Sequence, residues 1–235
     1  MKVLITGTHS GLGFGLARYY LKQGAEVYGI SRKQNPELAD HASFRYLSLD
    51  LIELGQIEAL LPAFISELKS LDLVILNAGK LNEIKDLKDT SIAEIKSVMD
   101  LNVWSNKVLI DTLTTYCSIG QVVAVSSGAS VSGARGWNAY ALSKATLNML
   151  INLYAGELEN THFCALAPGL VDTGMQEYIA GIQETEKYPV LKKLQTARGT
   201  QKMPGIHQAA ALFARAVTEV RNYKSGSFLD VRELK

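Results

Sequence analysis

A chain of 235 residues with 24 basic and 23 acidic side chains carries a net charge of +1, and no Lys/Arg run marks a nucleic-acid footprint. Hydrophobic residues make up 47% of the chain and cysteines number only two, Cys117 and Cys164; this is enough for a large core, and too few thiols for a disulfide framework or a metal cluster. Both thiols are expected to be reduced and structural, with no metal bound. Met1 leads directly into an apolar strand and no apolar run approaches the ~18 residues of a membrane span, so no membrane partner is expected and the expected location is cytoplasmic.

Lys2 to Thr6 is a short β-branched run that reads as a strand. Gly7-Thr8-His9-Ser10-Gly11-Leu12-Gly13 follows at once, a glycine-rich turn opening a helix. Glycines let backbone approach a phosphate, and the free N–H groups of a helix terminus hold an anion. Leu16, Ala17, Tyr20 and Leu21 carry the helix to Gln23, and Gly24 is placed to stop it. Further strands are expected at Ala25 to Ile30, Phe44 to Ser48, Leu71 to Leu76, Gln121 to Val125, His162 to Ala167 and Ser227 to Val231, with helices filling most gaps. That alternation predicts one α/β domain over residues 1–235, a doubly wound parallel sheet of the Rossmann type with about seven strands. Its ligand crevice lies beyond the carboxyl ends of the strands.

In Tyr140-Ala141-Leu142-Ser143-Lys144 the four-residue spacing puts a phenol and an ammonium on one helix face. A neighbouring cation favours the phenolate, so Lys144 is expected to lower the Tyr140 pKa and make it a proton donor for a carbonyl. The spacing Thr6-Gly7, Gly11, Gly13 resembles the short-chain dehydrogenase/reductase family. Asn77-Ala78-Gly79, Asn102, Ser126-Ser127 and Pro168-Gly169-Leu170-Val171-Asp172-Thr173 resemble it too, in the family's order. The match runs from Thr6 to Thr173.

The resemblance implies roles. Ser127, thirteen residues before Tyr140, matches the serine that hydrogen-bonds the substrate carbonyl, with Ser126 its rival on sequence alone. Tyr140 matches the acid, Lys144 the residue that also binds the nicotinamide ribose, and Asn102 the anchor of a water in the proton relay. Gly7, Thr8, Ser10, Gly11, Leu12 and Gly13 would cradle the cofactor. Asp50 and Leu51 would meet its adenine. Asn77, Ala78 and Gly79 would line it, and Pro168, Gly169, Val171 and Thr173 would reach its nicotinamide end. At the end of the second strand stands Ser31-Arg32-Lys33, with no carboxylate to repel a 2′-phosphate and an arginine able to clamp one. The expected cofactor is therefore NADP(H).

The long connection 174–205 is expected to be a lid over the substrate. Met175, Tyr178, Ile179 and Ile182 form its apolar stripe, and Lys187, Lys192 and Lys193 its wetter side. With Trp137, this points to an apolar or aromatic ketone rather than a charged metabolite. Gly136 to Tyr140 and Asp172 to Gln176 look like sepiapterin reductase and the related benzil reductases, and Lys224 to Asp230 is similar to the sepiapterin reductase tail, so Asp230 is a candidate substrate anchor. A homodimer or homotetramer is implied. The competing reading is a catalytically silent NADP(H)-sensing or scaffold protein with the same fold.

Overall fold

The computed structural model describes residues 1–234. Seven parallel strands form one sheet: β1 (Lys2–Thr6), β2 (Glu26–Ser31), β3 (Phe44–Ser48), β4 (Leu73–Leu76), β5 (Gln121–Val125), β6 (His162–Ala167) and β7 (Ser227–Asp230), in the order β3-β2-β1-β4-β5-β6-β7. The order reverses between β1 and β4, which opens a crevice at their carboxyl ends. The register Thr6↔Ile30 and Ile5↔Ile75 brings the turns after β1, β2 and β4 side by side.

Both faces of the sheet are buried because successive side chains alternate between them. From β1, Val3 and Ile5 join one core with Leu16, Ala17, Phe213 and Val217. Leu4 joins the other with Ile57, Leu61, Leu109, Leu113, Leu147 and Ile151. The first face is covered by α1 (Gly11–Lys22) and by the helix Ile206–Glu219; the second by α2 (Leu54–Phe64), α3 and α4 (Asn138–Glu157). Here α3 is Ile92–Met99, a π turn at Asp100–Trp104, and Ser105–Tyr116.

One expected strand is split. Leu71 pairs with Ile119 in a separate two-stranded ladder, and β4 begins at Leu73. Between them the Asp72 carboxylate accepts the Lys2 amide at 2.6 Å, and the Asp72 amide bonds the Lys2 carbonyl at 3.0 Å. A polar residue in an apolar run thus marks where the chain changes ladders. Gly24 ends α1 as expected, at φ +77°.

The connection 174–205 is two helices, α5 (Gly174–Ala180) and α6 (Pro189–Ala197), which precede α7 (Ile206–Glu219). They build a third apolar cluster of Ile179, Tyr188, Leu191 and Leu194 on Ile84, Trp137 and Tyr140. None of the described helices is long and apolar enough to cross a membrane.

Candidate active site

At the carboxyl edge of the sheet lies a cleft of about 2500 Å³, well beyond the ~300–1,000 Å³ of a single small-molecule pocket. It is large enough for a dinucleotide and a second molecule. Its wall carries Arg32, Lys33, Lys80, Lys144, Lys192, Lys193, Lys202 and Arg232, against a single carboxylate, Asp50. A chain of net charge +1 has gathered its cations here, and such a cleft concentrates anions.

The glycine turn forms one end. Gly7 (φ +76°) and Gly11 (φ +59°) adopt left-handed backbone, and Ser10 leaves the start of α1 without a side-chain cap. The orphan N–H groups of that first turn face the cleft through Ser10, Gly11 and Leu12. Gly13 and Thr8 stand behind the wall. A Cβ on Gly13 would meet the Gly7 carbonyl oxygen at 2.3 Å, so it is a packing glycine that lets α1 approach the turn. Thr8 is buried with its hydroxyl 3.3 Å from that of Ser31. Thr6 holds the next turn in place: its Oγ1 accepts the amides of Asn77 and Ala78, each at 2.9 Å, and Asn77 Nδ2 donates to its carbonyl at 2.9 Å. Ser31 bonds the Lys33 carbonyl at 2.9 Å, and Ser48 bonds that of Arg32 at 3.1 Å. The backbone of the basic turn is therefore fixed while both cations reach the cleft. Asp50 Oδ1 accepts the Ile52 amide at 3.2 Å, and Leu51 is buried beside it.

At the other end the two candidate serines separate. Ser126 also borders the cleft, but it is buried and its hydroxyl donates to Asn148 Oδ1 of α4 at 2.5 Å. Ser127 lines the cleft, accepts the Ala129 amide at 3.1 Å and favours the phenolate form of Tyr140. Lys144 is buried, donates to the Val125 carbonyl at 2.7 Å and lies 5.7 Å from the centre of the Tyr140 ring. Asn102 is wholly buried in the π turn. Its side chain accepts from the Lys80 amide at 2.9 Å and donates to the Lys80 carbonyl at 3.0 Å and to Ser143 at 2.9 Å. It thus clamps the chain after Gly79, whose own Cβ position would lie 3.2 Å from Asn102 Oδ1 and 3.6 Å from Lys144 Nζ.

The electrostatics correct one expectation. Burial pushes the Tyr140 phenol up, and the bond from Ser127 is the influence that pulls it down; Lys144 is not among the groups that lower it. Burial also pushes Lys144 down, to about 8. Desolvation thus outweighs the pairing inferred from spacing. The phenol stays protonated and can give a proton, while the lysine titrates just above neutrality.

Pro168, Gly169, Val171 and Thr173 line the cleft after β6, with Thr173 Cγ2 3.5 Å from the Cβ position of Gly11, so the two ends of the floor meet. Of the four substrate candidates, Trp137 and Met175 line the cleft. The Trp137 ring is 6.1 Å from that of Tyr140, and its indole N–H is buried without a protein partner. The other two stand elsewhere. Tyr178 is 46% exposed on the outer face of α5, because a helix of two turns can bury only one side and Ile179 takes it. Asp230 is buried with both oxygens held by Arg232, at 2.8 and 2.6 Å; Arg232 lines the cleft in its place. Lys192 and Lys193 also face the cleft. The residue-by-residue reading passed over Arg232, which lies two residues beyond Asp230 in the turn after β7.

Tyr188, also passed over, is the largest fully buried side chain and anchors the 174–205 segment. It packs on Gly136 (φ +92°), where a Cβ would stand 2.9 Å from the ring. Arg135 and Lys187 flank it and share the Asp86 carboxylate at 2.6 and 3.8 Å. Tyr188→Ala should loosen this segment by about 3–5 kcal/mol, the usual cost of emptying a large aromatic site. Hydrogen exchange should accelerate across 174–197 and stay unchanged in β1, β4 and β5; uniform acceleration would mean that the segment is not a separate unit.

A family model described as short chain dehydrogenase matches residues 1–183. A benzil reductase ((S)-benzoin forming) of Saccharomyces cerevisiae is 33% identical over 196 residues, covering 75% of this chain and 74% of that protein. An NADPH-dependent pterin aldehyde reductase of Arabidopsis thaliana is 29% identical over 184 residues, 73% of this chain and 75% of that protein. Among solved structures, a short-chain dehydrogenase/reductase of Saccharomyces cerevisiae superposes with a TM-score of 0.87 at 24% identity, over 99% of this chain and 96% of that one. The fold, the basic cleft and the Ser127, Tyr140 and Lys144 cluster therefore have one source: the chain belongs to the short-chain dehydrogenase family, oxidoreductases that use a nicotinamide cofactor on CH–OH and C=O groups.

Proposed function

We infer that this protein is an NADP(H)-dependent reductase of apolar or aromatic ketones, with vicinal diketones its best substrates. The observation that carries the reading is the meeting of Ser127, Tyr140 and Lys144 in a cleft whose far end presents Arg32 and Lys33. A dinucleotide fits that cleft: uncapped α1 amides meet its phosphates, left-handed glycines let it approach, and no carboxylate stands beside Arg32 to oppose a 2′-phosphate. The benzil reductase and pterin aldehyde reductase names of the relatives support the ketone and the phosphorylated cofactor.

The cofactor supplies a hydride. Ser127 donates its hydroxyl to the carbonyl oxygen, where negative charge grows as the carbon is reduced. Tyr140 gives that oxygen its proton, for which a phenol held protonated by burial is suited. Lys144, charged below about 8, donates to the Val125 carbonyl at the cleft and is placed to hold the ribose hydroxyls of the cofactor. Asn102 acts by holding Lys80 and Gly79 against the site. The 174–205 segment, whose apolar face rests on Trp137 and Tyr140, excludes water as a lid. Exposed Trp104, Leu142, Met149 and Leu153 support a homo-oligomer formed through α3 and α4.

NADPH and NADH oxidation with benzil, a pterin aldehyde, an aliphatic diketone and an aromatic aldehyde tests the reading; turnover only with NADH, or with none of these carbonyls, would oppose it. A pH profile adds a sharper test. Lys144 loses its charge as pH rises through about 8, so kcat/KM for reduction should be level below that pH and decline above it. Lys144→Met should lower the plateau about 10²-fold and abolish the decline. A decline retained in the variant would assign it to another group.

A further inference from the structure

Arg232 is a cation of the cleft wall whose position is set by a buried carboxylate. Nε and Nη2 make a parallel fork onto Asp230, at 2.8 and 2.6 Å, and the Arg232 amide bonds the same carboxylate at 2.9 Å. The Asp230 side chain is only 6% exposed, whereas that of Arg232 is 61% exposed. The buried acid therefore aims a guanidinium that remains open to the cleft. Its Nη2 lies 3.7 Å from the Cβ position of Gly128, the residue after Ser127, and its Cδ lies 3.3 Å from that of Gly169, which follows Pro168. Among the described residues Nη1 has no protein acceptor. The guanidinium thus stands beside the serine loop with Nη1 unpaired, on a side chain oriented by its fork onto Asp230.

We propose that Arg232 is a specificity-determining residue that binds the second carbonyl oxygen of a vicinal diketone, leaving the neighbouring carbonyl to Ser127 and Tyr140. The proposal rests on the carbonyl-reductase reading above and assigns a residue to its preference for diketones. Arg232 is held against a carboxylate of opposite charge, so the pair is neutral overall and serves as a hydrogen-bond donor fork rather than as a bare charge. That matches a neutral acceptor oxygen better than an anion. The fork also decides which carbonyl is reduced, because the oxygen it holds is kept from Tyr140.

The test uses 1-phenylpropane-1,2-dione, propiophenone and benzoylformate with NADPH, comparing the wild type with Arg232→Lys and with the double variant Asp230→Asn/Arg232→Gln. The double variant removes the buried charge together with its partner, so the fold does not inherit an unpaired carboxylate. In both variants the ratio of kcat/KM for the dione to that for propiophenone should fall by about tenfold or more. The hydroxyketone product should change from one regioisomer to a mixture, which a merely structural loss would not cause. An unchanged ratio with unchanged regiochemistry would overturn the proposal. So would a wild-type preference for benzoylformate that vanishes in the variants, since the acceptor would then be a carboxylate. Failure of the wild type on every carbonyl would overturn the reductase reading itself, and this inference with it.

Discussion

Tyr140→Phe should lower kcat for carbonyl reduction by about 10²–10⁴-fold, the usual contribution of a placed general acid, with NADPH affinity retained. The variant removes one oxygen. The ring keeps its place against Trp137 and the lid, and the Ser127 hydroxyl keeps its bond to the Ala129 amide. Burial keeps the phenol protonated, so the wild-type acid needs no deprotonation before it acts. The loss should therefore be nearly the same at pH 6 and pH 8. A loss under tenfold would mean that water or another group delivers the proton.

Arg32→Asp should move the ratio of kcat/KM for NADPH over NADH by about 10²-fold or more toward NADH. A charge-assisted hydrogen bond contributes ~1.5–3 kcal/mol, and the substitution replaces it with repulsion of a 2′-phosphate. The turn itself is held through main-chain carbonyls by Ser31, Ser48 and Tyr46, so the exchange alters charge without moving the backbone. Kinetics with both cofactors at saturating ketone check it. An unchanged ratio would transfer the selection to another residue, and the NADP(H) assignment would lose its main support.

The parallel sheet was legible because each buried strand is a compact β-branched or apolar run and each is followed by helical spacing. The exception, the break at Asp72, follows from one side chain bonding the first strand across 70 residues of sequence, which no local pattern reveals. The site was legible where roles depend on short spacing: Tyr140 and Lys144 on one helix turn, or glycines at a strand end. Spacing did not reveal how burial outweighs charge at Tyr140. Nor did it show that Ser126 gives its hydroxyl to Asn148 of α4, or that Asp230 spends its carboxylate on Arg232. Those outcomes depend on what packs around each group, and so does Tyr188, which holds the lid through Gly136 from 52 residues away in sequence.

The most direct test of the account follows hydride transfer itself. Wild-type protein and Tyr140→Phe are each mixed with NADPH doubly deuterated at the nicotinamide C4 and with 1-phenylpropane-1,2-dione, and the product is read by mass spectrometry. The account predicts one deuterium on the carbinol carbon, accumulating in the wild type and slowed at least about 10²-fold in the variant. No deuterated alcohol from the wild type, with NADPH bound, would contradict it.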